Sequence, residues 1–266
     1  MTRFQLRLFI PLVFSISVQL AGGPLRAEQP EVDLALVLAV DISNSMDPEE
    51  QQLQRDGFVE AFRSAAVHKA IRSGALGRIA VTYMQWAGTD TQEVVVPWTV
   101  IDGRETAEAF AGLLAQSPLQ RGPYTSISGA IRLSLQLLAN SGVTALRQVI
   151  DISGDGVNNH GPLVTRARDE AIARDVTING LPVMLKKPID EEVPHLDRYY
   201  KDCVIGGTGA FVIPVREPEE FVSAIKIKVI LEIAGLTTSR LIQRAQTEER
   251  INCITGEPEV VGWVRP

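Results

Sequence analysis

The 266 residues, 45% hydrophobic and 22% charged, suit one large domain with a proper core and short appendages. The formal net charge of −6, with no dense Lys/Arg cluster, argues against nucleic acid and anionic membrane surfaces as partners.

The N-terminus has the order of a secretory signal. Arg3 and Arg7 give a basic lead, Leu8 to Leu20 an apolar run interrupted by Pro11 and two serines, and a small-residue region ends at Leu25-Arg26-Ala27. The apolar core is short for a membrane-spanning helix. Residues 1–27 are therefore expected to be removed, with cleavage near Ala21 as the alternative and an uncleaved anchor as the competing reading. Export to the periplasm or the cell exterior follows, with no transmembrane segment left after removal. Cys203 and Cys253 are able to pair in such an oxidising compartment; two unrelated thiols are the alternative. Neither has a Cys or His neighbour at metal-ligand spacing.

Val32 to Val40 is an apolar run broken only by Asp33 near its start, which predicts a central parallel strand buried on both faces. Asp47 can cap a helix with Pro48 at its first position and Glu49 and Glu50 in its first turn. That helix is expected to run to about Ile71, burying Phe58, Phe62 and Ala65. Arg78 to Trp86 and Glu93 to Trp98 read as an antiparallel hairpin around Gly88-Thr89-Asp90, with Pro97 placing the second strand at a sheet edge. Ala107, Phe110, Ala111 and Leu114 recur at helical spacing. A loop from Gln116 to Tyr124 ends at Thr125-Ser126, which caps a helix burying Ile127, Ala130, Ile131, Leu135 and Leu138.

Gln148 to Ile152 is the next predicted strand, ending in Ser153-Gly154-Asp155-Gly156. Gly161-Pro162 opens a helix to about Arg174. Thr177 to Met184 is a strand, Leu196 to Cys203 a short helix or turn, Gly209 to Val215 a last strand, and Glu217 to Ile233 a last helix. Strands alternating with helices mean an α/β fold, a doubly wound and mostly parallel sheet with one antiparallel edge strand and helices on both faces. Residues 32–235 are read as the domain and 236–266 as a C-terminal extension.

In such sheets ligands bind beyond the carboxyl ends of strands, where the strand order reverses. Asp41-Ile42-Ser43-Asn44-Ser45 puts three side-chain oxygens on one turn just past the first strand. Asp155 follows the strand at Gln148 to Ile152, and Thr125 precedes the helix that leads into that strand. Asp41, Ser43, Ser45, Thr125 and Asp155 thus form a candidate all-oxygen shell for a hard divalent cation. Each also has a structural alternative: Asp41 and Ser43 as helix caps, Thr125 as an N-cap, Asp155 as a turn residue. Asp151 is read as structural, Asn158 and His160 as rim residues, and His68 and His195 as surface residues.

These five positions in this order resemble the von Willebrand factor type A domain and its metal-ion-dependent adhesion site, across about Val32 to Ala234. Within that family the sequence looks similar to a subgroup of exported bacterial proteins of undefined function. The resemblance implies that Ser43, Ser45 and Thr125 ligate Mg²⁺ (or Mn²⁺ or Ca²⁺) directly, with one or both aspartates acting through water. It further implies a protein partner whose acidic side chain completes the coordination.

Enzymatic readings find less support. Ser153, Asp155 and His160 crowd one loop without a Gly-x-Ser-x-Gly elbow, and no phosphate-cradling glycine loop with a lysine is present. Position 43 lacks the second aspartate expected of an aspartyl-phosphate enzyme. The expectation is a non-enzymatic, cation-dependent binding domain. The alternatives are a scaffold of the same fold that binds without metal, and a metal-dependent hydrolase.

Overall fold

The computed structural model describes residues 29–186, 195–235, 250–254 and 257. The expected signal segment 1–27, and most of the expected extension 236–266, lie outside the described residues. Among the described residues there are seven strands: β1 (Glu31–Val32), β2 (Leu34–Asp41), β3 (Ile79–Trp86), β4 (Gln92–Ile101), β5 (Thr144–Ala145), β6 (Gln148–Gly154) and β7 (Val176–Pro182). The helices are α1 (Pro48–Arg63), α2 (Ala65–Arg72), α3 (Arg104–Ala115), α4 (Ile127–Ala139), α5 (Val164–Ala173), α6 (Leu196–Tyr199) and α7 (Phe221–Ala234).

The main sheet has the order β4-β3-β2-β6-β7. Only β4 is antiparallel, and it forms one edge. β1 and β5 make a separate parallel pair of two residues each. Every residue of β2 is buried, as a strand covered on both faces requires. Its alternation divides the core. Leu34, Leu36, Leu38 and Val40 join one apolar cluster with Phe58 and Phe62 of α1, Phe110 of α3 and Ile225 of α7. Ala35, Val37 and Ala39 join the other with Ile127 and Ile131 of α4, Ala167 of α5 and Tyr199 of α6. The doubly wound α/β architecture with one antiparallel edge strand is therefore the observed fold.

The structure departs from the sequence reading in places, each with a local cause. Asp33 separates β1 from β2 because its carboxylate turns aside to accept the Leu76 and Arg78 N–H groups. The helix expected from Asp47 to Ile71 is two helices. Ser64 is extended (φ −77°, ψ 138°) and its side chain caps α2 by accepting the Val67 N–H at 3.3 Å. Past that break Ala65 is exposed. His68 is buried, with Nε2 2.7 Å from the Phe62 carbonyl. Gly209 to Val215 is not a regular strand. It meets β7 and the residue after it only through bridges at Gly180–Val212 and Val183–Val215, since Gly209 has positive φ (74°) and Pro214 has no N–H to donate.

One buried ionic cluster ties α7 to the sheet. Lys228 Nζ pairs with Asp151 of β6 and with Glu232 Oε1 at 2.7 Å, and all three residues are buried. Asn179 Nδ2 of β7 donates to the same Glu232 oxygen at 3.2 Å. Burial, reinforced by the Asp151 charge, pushes the Glu232 carboxyl up to about 7. Asp151 is thus structural. At the helix end the Arg147 guanidinium donates to the Glu232 and Ile233 carbonyls at 2.9 and 2.8 Å, a cation placed where the helix dipole favours one.

Candidate metal centre

The first strand of the main sheet, β2, is central, with β3 on one side and β6 on the other. Strand order reverses across the β2–β6 boundary, so a crevice opens beyond their carboxyl ends. Val40 lies opposite Ser153 in the ladder, which sets Asp41 and Asp155 on the two strand ends that border that crevice.

Asp41 is fully buried. Its Oδ1 accepts the Ser43 N–H at 2.7 Å, whereas Oδ2 is buried without a hydrogen-bond partner. Ser43 Oγ lies 2.9 Å from Ser45 Oγ, and Ser45 Oγ donates to Asp155 Oδ1 at 2.6 Å. Ser43, Ser45 and Asp155 are therefore linked through their side-chain oxygens across the crevice, and Asp41 is joined to them through the Ser43 main chain. Thr125 joins from the third side: a Cβ added to Gly156 would meet its Oγ1 at 3.5 Å, which puts the hydroxyl over the backbone just past Asp155. Its main chain is clamped to Asn159, with N–H to Oδ1 at 2.7 Å and the Asn159 N–H to the Thr125 carbonyl at 2.8 Å.

The capping alternatives do not hold. Helix α1 is capped by Asp47, which accepts from the Glu49 and Glu50 N–H groups while the Glu50 carboxylate accepts the Asp47 N–H. Helix α4 is capped by Ser126, whose Oγ accepts the Gly129 N–H at 3.2 Å. The hydroxyls of Ser43 and Thr125 are not used for either cap.

Electrostatics single out the same place. Burial, then repulsion from Asp155, raises the Asp41 carboxyl well above the usual carboxylate range. Burial also raises Asp155. Two acids are thus held together beside the Ser43 and Ser45 hydroxyls, with the Glu50 and Lys186 charges close to Asp155, and one buried carboxylate oxygen has no partner. Such a group carries a desolvation cost that a cation would relieve. Among the described residues no set of three or more His, Cys, Asp or Glu could hold a metal; the side-chain oxygens beside the two acids here are hydroxyls. The donor set of two carboxylates and three hydroxyls fits Mg²⁺, Mn²⁺ or Ca²⁺ and suits soft metals poorly.

Several residues that shape the crevice carry no signal in the local sequence pattern. Lys186 Nζ donates to the Ser45 carbonyl at 2.6 Å and pairs with Glu50. The Arg121 guanidinium donates to the Asn44 carbonyl. Gln54 of α1 donates to Ser153 Oγ at 2.6 Å. Tyr200 is buried with its hydroxyl 3.4 Å from the Gly154 carbonyl. Gly154 has to be glycine, because a Cβ there would lie 2.6 Å from Asp41 Oδ2 and 3.1 Å from the Tyr200 hydroxyl.

At the rim, Tyr124 has positive φ (65°), is exposed, and stacks on His160 with ring centroids 4.6 Å apart. His160 Nδ1 accepts the Thr89 N–H at 3.1 Å. Ser153, Asp155 and His160 do not form a nucleophilic triad, since Ser153 faces Gln54 and His160 faces Thr89 and Tyr124. Asn158 is buried and occupied, accepting the Ser128 N–H at 3.0 Å and donating to the Pro162 carbonyl at 3.1 Å. A cavity of about 430 Å³ bordered by Arg147, Asn179, Phe211 and Glu232 lies at the opposite end of the sheet, where β6 and β7 begin, away from this crevice.

The chain matches the family described as "Protein of unknown function (DUF1194)" over residues 31–237 and belongs to it. No curated protein matches it. Its fold is that of von Willebrand factor type A domains. A von Willebrand factor type A structure from Catenulispora acidiphila superposes with a TM-score of 0.52 at 14% identity, covering 76% of this chain and 43% of that one. Proximal thread matrix protein 1 from the mussel byssus, in a form with a zinc-occupied MIDAS motif, gives 0.54 at 15% identity, covering 78% and 50%. The pilus adhesin SpaC of Lactobacillus rhamnosus GG gives 0.58 at 12%, covering 77% and 31%. The chain thus spans half or less of the length of these proteins.

Proposed function

We propose that the protein is a non-enzymatic binding domain that captures an acidic side chain of a partner protein through a divalent cation held by Asp41, Ser43, Ser45, Thr125 and Asp155. The observation that carries this reading is the buried, unpartnered Asp41 Oδ2 beside a second acid in a hydroxyl-lined crevice at the sheet's switch point. A bound Mg²⁺, Mn²⁺ or Ca²⁺ would supply an electrophilic centre with a position left for an outside oxygen.

The protein's own residues set how that centre behaves. Neutral hydroxyls from Ser43, Ser45 and Thr125 contribute oxygens without cancelling charge. Asp41, deep in the crevice, and Asp155, at its lip, supply the negative charge. Lys186 and Arg121 hold the Ser45 and Asn44 carbonyls, which fixes the turn; the Lys186 charge is balanced by Asp47 and Glu50, so of the two Arg121 is the cation left to face an acidic partner. The zinc-occupied motif in the mussel protein and the adhesin role named for SpaC support a cation-dependent, protein-binding reading. The signal-like segment 1–27 and the Cys203–Cys253 disulfide support export to the periplasm or beyond. Among the described residues no helix is long and apolar enough to cross a membrane.

The test is thermal unfolding of the mature protein with chelator and with Mg²⁺ or Mn²⁺ at matched ionic strength. At a cation concentration 100 times Kd the expected stabilisation is about 2.7 kcal/mol, which moves Tm upward by several degrees in a domain of this size. Chelator should reverse it. Equal melting curves in the two conditions would contradict the proposal.

A further inference from the structure

Helix α5 begins without a cap of its own: Leu163 stands at the N-cap position and offers no side-chain acceptor. The missing acceptor comes from far along the chain. Glu257 Oε1 accepts the Val164 N–H at 2.9 Å, and Glu257 is buried. A carboxylate at a helix start satisfies an orphan amide and meets the positive end of the dipole.

Glu257 is held at this place by covalent and polar tethers. Cys203, next to α6, is disulfide-bonded to Cys253. The Ile251 N–H donates to Asp202 Oδ2 at 3.0 Å, and the Glu257 N–H donates to the Ile254 carbonyl at 3.0 Å. The segment capped in this way leads directly from the crevice. Between Asp155 and Val164 lie Asn158, bonded to Ser128, Pro162 and the Tyr199 hydroxyl, and Asn159, which clamps Thr125. One end of this loop is set by β6, and the other is set by the start of α5.

We infer that Glu257 is a positioning residue of the cation site: carried back by the Cys203–Cys253 bond, it caps α5 and fixes the loop that supplies Asp155 and clamps Thr125. The inference rests on the cation reading above. It makes Cys253 and Glu257 part of the support of the site and makes cation affinity depend on an intact disulfide.

The experiment compares wild type, Glu257→Ala, Glu257→Gln and a Cys203→Ser/Cys253→Ser double variant. Mn²⁺ affinity is read by calorimetry and amide exchange at Val164 by NMR or mass spectrometry. Glu257→Ala and the double variant should bind Mn²⁺ roughly fivefold more weakly, the equivalent of one lost helix cap, with faster exchange at Val164. Glu257→Gln keeps an acceptor oxygen and should stay near wild type in both. Should the double variant fail to fold, Glu257→Ala still decides, because it retains the disulfide. Wild-type Mn²⁺ affinity in Glu257→Ala would overturn the inference alone. No Mn²⁺ binding by the wild type would overturn the cation reading and this inference with it, while Val164 exchange would still report whether the cap is made.

Discussion

Replacing Lys228 with methionine should cost about 3–5 kcal/mol of stability, the range for breaking a buried ionic group from one side. Lys228 Nζ serves two carboxylates, Asp151 and Glu232, and all three residues are almost completely shielded from water. Methionine fills much of the same volume, so the loss is electrostatic: two acids would face each other in a low-dielectric interior with no cation between them. A urea midpoint well below wild type with an unchanged m-value is the expected reading. Lys226→Met, on the same helix but partly exposed, should shift stability by no more than about 0.5 kcal/mol. Adding Asp151→Asn and Glu232→Gln to Lys228→Met should recover most of the loss, because the stranded charges would be gone. Equal midpoints for Lys228→Met and wild type would show that the cluster is not held as an ion pair.

Asp41→Asn should move stability in opposite directions with and without cation. Asparagine keeps an Oδ1 to accept the Ser43 N–H but removes a charge that is buried, half unpartnered and repelled by Asp155. In chelator the variant should match or exceed wild type, because a charge disfavoured by burial and by Asp155 is gone. With saturating Mg²⁺ it should lose the stabilisation of about 2.7 kcal/mol that the wild type gains at 100 times Kd. A residue that only shaped the turn would show the same change in both conditions. Denaturant unfolding in chelator and in Mg²⁺ separates the two, and equal ΔΔG values in both would assign Asp41 a purely structural part.

The candidate site was readable in the sequence where chemistry and strand periodicity coincide. Asp41 and Asp155 each follow a short apolar run, and Ser43 and Ser45 alternate after Asp41, so strand ends and oxygen side chains are marked together. The strand order that makes β2 and β6 neighbours completes the argument, and the ladder bears it out. Thr125 was legible only as a residue before a helix, and the structure separates its place from the cap that Ser126 provides.

What the sequence concealed comes from contacts between distant elements. Nothing in the spacing of the last helix says that Ile227 is exposed while Lys228 and Glu232 are buried. Asp151 across the core accounts for that burial, since it pairs with Lys228. His68 looked like a surface residue because its partner is a main-chain carbonyl, which no sequence pattern advertises. The break at Ser64 was hidden inside a helical run, since serine in a helix and serine at a cap are spelled alike. Gln54, Lys186, Arg121 and Tyr200 reach the crevice from four separate segments. Each is an unremarkable polar or aromatic residue in its own stretch, and only the fold brings it to the site.

The most direct test of the central claim is a crystal of the protein soaked in Mn²⁺ and measured for anomalous scattering. A single strong peak in the crevice, at bonding distance from the Ser43, Ser45 and Thr125 hydroxyls and beside the Asp41 and Asp155 carboxylates, is the predicted result. A crevice without that peak in crystals grown at saturating Mn²⁺, or a peak bound only elsewhere on the protein, would contradict it.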